Sequence, residues 1–250
     1  MVGKIRIGRC YYKNNTMSHP KYPGFSNIFV LTKSSAFGEL GPYVLTNKDG
    51  HIMENIWQFS KIYKSVPRSI QRQSQYNTTI VWDYPEEIHI NENNKITPKY
   101  WEWRNKGMNC KFPIRYPVGK QNMKTCVGCL IGDNNSYEIV DYIEARKRVY
   151  FLVYTELVMQ HQTFKNLKYR LSKGENLLIE EVDGPHQESL LYYKNKYNVD
   201  DKFIENETIE CKPEYMKIML NDDDRYPFGH GYCLAMALSD MTLNDLDIIE

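Results

Sequence analysis

Apolar residues recur at intervals of three and four positions in two parts of the chain, which predicts two amphipathic helices. The first covers residues 52–64, and its apolar face is Ile52, Ile56, Phe59 and Tyr63. The second covers residues 138–160, and its apolar face is Ile139, Ile143, Tyr150, Val153 and Leu157. Because Arg146 falls within the second apolar face, it needs either a buried counter-charge or a ligand.

Residues that favour helix starts and ends predict the other helices. Thr97 and Pro98 favour a start and Gly107 an end, so a helix is expected between them. Further helices are predicted over residues 163–173, from Pro185, from Pro213 and over residues 232–240.

Two segments have strand patterns. Residues 4–12 begin with alternating apolar and polar positions, and residues 177–179 form a short apolar run before a group of acids. Polar, turn-rich stretches predict loops at residues 13–24, 68–99 and 117–137. The pattern predicts a helix-dominated α+β fold in a single domain, residues 1–250, with loop insertions.

Composition and charge narrow the function classes. The chain has 250 residues, of which 42% are hydrophobic and 25% charged, so an ordinary folded core is expected. A net charge of +1 gives no global attraction to nucleic acid, although a local basic patch stays open. Without an apolar run of membrane or signal-peptide length, we expect a cytoplasmic protein that does not bind membranes.

The six cysteines are too scattered for a disulfide framework. Cys126 and Cys129 form a Cys-x-x-Cys pair, but a zinc site needs a second ligand pair, which the sequence lacks. We therefore predict free thiols, with this pair in a turn, no bound metal and no cofactor. Metal binding or redox chemistry at the pair is the alternative.

A polar stripe of Glu54, Gln58 and Lys61 runs beside the apolar face of the first predicted helix. It is either a solvated helix face or the lining of a cleft in which Glu54 acts as acid or base. Arg146 has two similar alternatives, a structural ion pair or a clamp on phosphate, since a guanidinium binds both carboxylate and phosphate.

Three further features are candidates for a binding site. Asp183 lies among acids after the strand predicted at 177–179, which makes it either polar loop or a second carboxylate. Gly229-His230-Gly231 precedes a predicted helix, where free backbone N–H groups attract anions. Trp101 and Trp103 cannot share one helix face, so one packs inward and the other is available for stacking.

In their order along the chain, these segments resemble the NADAR family (NAD- and ADP-ribose-associated, YbiA-like) over about residues 25–238. The matching segments are Phe25-Ser26-Asn27-Ile28, the Glu54/Gln58/Lys61 helix with Asn55 where the family has His, Tyr100 to Met108, Arg146 to Tyr150, Leu178-Ile179-Glu180 with Asp183, and Phe228 to Gly231. Residues 184–220 would be an insertion.

The resemblance implies a NADAR-like fold and cleavage of an N-glycosidic bond in a nucleotide, an NAD-derived compound or ADP-ribosylated nucleic acid. Glu54 and Asp183 would then be catalytic. Substrate-binding positions would be Asn27, Asn55, Gln58, Lys61, Trp101, Arg146, Gly229, His230 and Gly231. Two alternatives stay open: a nucleotide or ADP-ribose binding module without turnover, and an interaction protein that inhibits a host factor.

Overall fold

The computed structural model of the protein describes residues 2–31 and 36–246. It contains both helices and sheets, which confirms the α+β class. The chain forms two compact units. We call them the sheet unit, Met1–Gly41 with Phe151–Glu250, and the aromatic unit, Pro42–Tyr150. Whether they make one domain, as predicted, stays a prediction.

The strands and helices are short. The strands are β1 (Ile5–Arg9), β2 (Tyr11–Lys13), β3 (Thr16–Ser18), β4 (Ser26–Phe29), β5 (Lys61–Tyr63), β6 (Ser69–Arg72), β7 (Ile80–Tyr84), β8 (Cys126–Gly132), β9 (Tyr137–Val140), β10 (Leu177–Glu181) and β11 (Thr208–Glu210). The helices are α1 (Met53–Gln58), α2 (Pro98–Met108), α3 (Tyr142–Ala145), α4 (Leu152–Met159), α5 (Gln162–Ser172), α6 (Leu190–Tyr197), α7 (Pro213–Lys217) and α8 (His230–Leu238). A π-helical segment, Arg146–Phe151, joins α3 to α4.

The sheet unit is built on a four-stranded sheet in the order β11-β1-β10-β4. The central strand β10 pairs in parallel with β1 and β4, whereas β11 pairs antiparallel with β1. Every residue of β10 is buried, as expected for a strand covered on both faces. Helix α8, also buried along its whole length, packs against β10 and β1. The supposed insertion 184–220 supplies β11 to this sheet.

The aromatic unit has a three-stranded antiparallel sheet, β5-β8-β9, and the hairpin β6-β7. Its core is rich in rings: Phe59, Tyr63, Trp82, Tyr100 and Trp103 are all buried. Phe59 and Trp103 meet edge to face with centroids 4.5 Å apart. A Cβ on Gly107 would lie 2.1 Å from the Phe59 ring, so only glycine fits where α2 crosses this ring.

The predicted helix over 52–64 is wrong in its second half. Helix α1 ends at Gln58, and Lys61 lies on β5, where it pairs with Cys129 of β8. The Ser60 hydroxyl donates to the Trp57 carbonyl and closes the helix. Backbone pairing with β8 therefore overrides the helical periodicity. The sequence alone does not show this pairing.

The predicted helix over 138–160 begins later than expected. Residues 137–140 form β9, which leaves Ile139 exposed on a strand. The Asp141 carboxylate accepts a hydrogen bond of 2.9 Å from the Glu144 N–H, and this cap fixes the start of α3.

All three predicted loops contain strands. The polar stretch 68–99 holds β6 and β7, and the Trp82 indole inside it donates to the Pro117 carbonyl at 3.0 Å. The stretch 117–137 holds β8, so Cys126 and Cys129 lie on a strand and not in a turn. The predicted loop 13–24 holds β2 and β3.

Several elements with end signals are confirmed, but Gly107 lies inside α2 and not after its end, and the helix expected from Pro185 begins only at Leu190. The Thr97 side chain accepts from the Tyr100 N–H at the start of α2, and Gly174, with φ of 90°, follows α5. The structure also confirms β1, β10, the start of α7 at Pro213, and α8, which begins at His230. None of the described helices is both long and apolar enough to cross a membrane.

Candidate functional site

Glu54, Gln58 and Lys61 form a line of hydrogen bonds in the aromatic unit. The Gln58 amide Nε2 donates to Glu54 Oε1 at 2.9 Å, and Lys61 Nζ donates to Gln58 Oε1 at 2.9 Å. Glu54 and Gln58 are each only 6% exposed, so the stripe is not a solvated helix face. Lys61 joins the line from β5, across the end of α1. The sequence predicted this stripe on one helix over residues 52–64, but α1 ends at Gln58, before Lys61.

Aromatic rings surround this line. Lys61 Nζ lies 4.9 Å from the Trp57 ring centroid, a cation–π distance. Trp57 meets Tyr150 edge to face at 5.1 Å and Tyr142 at 6.3 Å. Burial lowers the pKa of Lys61, while the Glu54 charge acts in the opposite direction. We call Glu54, Trp57, Gln58, Lys61 and Tyr142 the Glu54 cluster.

Arg146 is almost fully buried in the π-helical segment. Its guanidinium carbon lies 5.2 Å from the Tyr142 ring centroid, which brings a second cation to the edge of the Glu54 cluster. The expected buried position is confirmed. Its interpretation as a phosphate clamp stays a prediction.

Asn55 has a structural role. Its amide nitrogen donates to the carbonyls of Cys110 and Phe112, each at 3.0 Å. Its amide oxygen accepts from the Ile114 N–H at 2.8 Å. The side chain is fully buried and fastens the segment 110–114 to α1, so its amide group is not available to a substrate as the sequence predicted.

The two tryptophans of α2 lie in different environments, one in the core and one partly exposed, as the helix geometry predicted. Trp103 is fully buried in the aromatic core. Trp101 is half-buried and makes edge contacts with Tyr100 and Tyr137, at 5.3 and 5.7 Å. Stacking of Trp101 on a ligand stays a prediction.

The turn at residues 229–231 binds an anion from the protein itself. The Gly231 N–H donates to the Glu181 carboxylate. The same carboxylate lies 2.9 Å from His230 Nδ1, and His230 Nε2 lies 2.7 Å from the Val30 carbonyl. The sequence predicted a phosphate at this helix start. Glu181, at the end of β10, occupies that position instead.

Gly229 and Gly231 leave room for this carboxylate. A Cβ on Gly229 would lie 1.6 Å from Glu181 Oε1, and one on Gly231 would lie 3.0 Å from the Glu181 side chain. The glycines are therefore needed for the internal ion pair, and a phosphate is not required to explain them. In the sequence, the signal for this internal anion was the pair Glu180 and Glu181, directly after the apolar run at 177–179. The sequence analysis selected Asp183 instead as the candidate carboxylate.

Asp183 is half-buried in the turn after β10, next to Gly229. Asn27 is exposed on the edge strand β4, opposite Leu178. Both belong to the sheet unit, whereas the Glu54 cluster belongs to the aromatic unit. The predicted pairing of Asp183 with Glu54 stays a prediction.

All six cysteines carry free thiols. The Cys129 thiol hydrogen bond lowers the pKa of Cys126, although burial opposes this. Cys126 is thus the more readily ionised thiol of the pair.

A basic surface groove of about 510 Å³ also lies in the aromatic unit. Its basic residues are Arg68, Arg72, Arg115 and Lys120. The predicted site residues lie elsewhere, so the groove was missed. It is a local basic patch of the kind that net charge cannot exclude.

Comparisons with protein-family models, with curated proteins and with solved structures found no match for the chain. The functional assignment therefore depends on the chemistry of these side chains and on the resemblance described from the sequence.

The pair of His230 and Glu181 predicts a pH-dependent stability. Burial alone would lower the pKa of His230, but the Glu181 charge and hydrogen bond outweigh it and raise the pKa from 6.5 to about 8. The stabilisation is complete below about pH 6.5 and is lost as the pH rises through about 8. We expect the free energy of unfolding to fall by about 2 kcal/mol across this window.

Urea titrations at several pH values measure this change. The Glu181→Gln variant, which keeps the side-chain shape, should lose most of the slope between about pH 6.5 and 8. An equal slope in wild type and variant would contradict the assignment to this pair.

Proposed function

We propose that this protein hydrolyses an N-glycosidic bond in a nucleotide-like or ADP-ribosylated substrate, with Glu54 as its catalytic carboxylate. The proposal combines two supports, the resemblance to the NADAR family and the geometry of the Glu54 cluster. Glu54, Gln58 and Lys61, the three residues that match the family's helix motif, are joined by hydrogen bonds. That contact is the observation on which the proposal depends.

The chemistry requires a carboxylate in a fixed position. Cleavage of a ribosyl C–N bond builds positive charge on the sugar ring, and a carboxylate stabilises this charge or activates the attacking water. Gln58 holds one oxygen of Glu54, and Lys61 holds Gln58, so the carboxylate is oriented before a substrate arrives.

The neighbours of Glu54 suit the rest of a nucleotide. Lys61 is only half-buried and supplies positive charge for a phosphate. The Trp57 and Tyr142 rings supply apolar faces of the kind on which bases stack. These groups bind remote parts of the substrate, and that binding helps to position the sugar next to Glu54.

Binding without turnover is the second candidate function. It is favoured by the burial of Glu54, because water must reach a carboxylate that is 6% exposed before hydrolysis can occur. The two functions share a ligand class but differ in whether a base is released.

A base-release screen distinguishes these functions. The full chain is incubated with NAD, ADP-ribose, nucleosides, nucleotides and ADP-ribosylated DNA, and released base is detected by mass spectrometry. We expect release from at least one ribosyl-base substrate. Binding without release would favour the binding module, and neither binding nor release across the panel would contradict both functions.

A further inference from the structure

Three side chains with metal-binding atoms, Cys10, His19 and Glu180, come together at the carboxyl ends of β1 and β10 in the four-stranded sheet. Cys10 follows β1 directly, and Glu180 is the fourth residue of β10, which pairs in parallel with β1. The Cys10 N–H donates to the Glu181 carbonyl at 2.7 Å, so the chain continues the sheet pairing past β1. His19 follows the β2-β3 hairpin, which comes next along the chain after Cys10.

The three side chains converge through their metal-binding atoms. Cys10 Sγ lies 3.7 Å from His19 Nδ1 and 3.4 Å from Glu180 Oε2, and the last two atoms are 2.9 Å apart. Tetrahedral zinc with ordinary bond lengths separates such ligand atoms by about 3.4–3.6 Å. Each observed separation is within about half an ångström of that range.

Hydrogen bonds offset the desolvation of the buried Glu180 carboxylate at only one of its two oxygens. It is 1% exposed, and its Oε1 atom is buried with no hydrogen-bond partner among the described residues. A buried carboxylate oxygen without a partner carries a large desolvation cost. A cation bound at Oε2, the oxygen that faces Cys10 and His19, would neutralise this buried charge.

We propose that Cys10, His19 and Glu180 form a binding site for one zinc-type divalent cation. A thiolate, an imidazole and a carboxylate suit zinc better than calcium or magnesium, which prefer oxygen ligands alone. On binding, the S–H bond of Cys10 breaks, a sulfur–metal bond forms, and the thiol proton passes to the buffer.

Three protein ligands leave a fourth position for water. The His19 side chain is 42% exposed, so the cluster is accessible to solvent on that side. Closed structural zinc sites use four protein ligands, whereas three ligands with one open position are typical of sites that activate water. The site lies wholly within the sheet unit and does not depend on the function proposed for the Glu54 cluster.

Titration of chelator-treated full-length protein with Co²⁺ under reducing conditions tests the proposal. We expect one equivalent to bind, with visible bands of four-coordinate cobalt and a near-ultraviolet sulfur-to-metal charge-transfer band. Zn²⁺ should displace the cobalt and abolish both signals. Isothermal titration of Zn²⁺ in buffers of different ionisation enthalpy should show proton release.

Variants identify the ligands. Cys10→Ser should remove the charge-transfer band, and His19→Ala should weaken Zn²⁺ binding by at least about 10- to 100-fold. His19 is the main variant because its side chain is partly exposed and its removal disturbs the core least, and circular dichroism checks the fold. The Cys126→Ser/Cys129→Ser double variant is the matched control and should bind as wild type does.

Two results would overturn the proposal. The first is the absence of a stoichiometric charge-transfer signal in the wild-type protein. The second is a signal that survives in folded His19→Ala and Cys10→Ser but disappears in the Cys126→Ser/Cys129→Ser control, which would place the metal at the Cys-x-x-Cys pair. The cluster would then be an ion pair of His19 and Glu180 with a buried thiol.

Discussion

Glu54→Gln is expected to reduce base release by at least about 100-fold on a substrate found by the screen. The substitution keeps the length of the side chain and the oxygen that accepts from Gln58. It removes the negative charge and the ability to transfer a proton. General acid–base groups typically contribute about 100- to 10,000-fold to a rate, so the loss should appear in kcat, with substrate affinity nearly unchanged.

Glu102→Gln is the control for this variant. Glu102 lies in the same unit, on the surface of α2, where it pairs with exposed Lys99. We expect it to leave turnover unchanged. Thermal melting of both variants separates a chemical effect from a folding effect. Near-wild-type turnover in a folded Glu54→Gln protein would show that the Glu54 cluster is structural.

Glu181→Ala is expected to destabilise the protein by about 3–5 kcal/mol at a pH below 6.5, where His230 carries a proton. The substitution leaves a buried imidazolium without its carboxylate and leaves the Gly231 N–H without its acceptor. Such a loss is a large fraction of the stability of an ordinary domain. Urea unfolding monitored by circular dichroism gives the value.

Glu188→Ala provides the comparison. Glu188 also pairs with a histidine and an arginine, His186 and Arg9, but its side chain is exposed. Solvent screens such a pair, so the expected cost is about 0–1 kcal/mol. In a double-mutant cycle, Glu181→Ala and His230→Ala together should cost clearly less than the sum of the two single variants. Additive losses would show that the two side chains do not act as a pair.

Several elements with local end signals could be predicted from the sequence, although Gly107 proved to lie inside α2. Thr97-Pro98 and Gly174 determine helix ends through their own backbone and side-chain chemistry, and the structure agrees at each of them. The apolar run at 177–179 predicted a buried strand for the same reason, since a strand covered on both faces needs apolar residues throughout.

Elements whose partners are distant in the chain could not be predicted. Lys61 continues a helical pattern, yet it joins β5 because β8, more than sixty residues later, offers backbone pairing. Trp82 lies in a polar stretch that predicts a surface loop, but its ring packs against Phe59 with centroids 4.9 Å apart. In both cases a tertiary contact outweighed the local preference.

The sequence by itself determined the α+β class, the buried position of Arg146 and the positions of the Glu54 stripe, because periodicity and residue chemistry are local properties. Only the tertiary structure decided what these groups face. Parallel pairing of β10 with β1 brings Glu180 to Cys10 across 170 positions of sequence. The same strand places Glu181 in the anion position of α8, which the sequence alone had assigned to a phosphate. Motif spacing measures distance along the chain, whereas electrostatics and metal binding depend on distance in space.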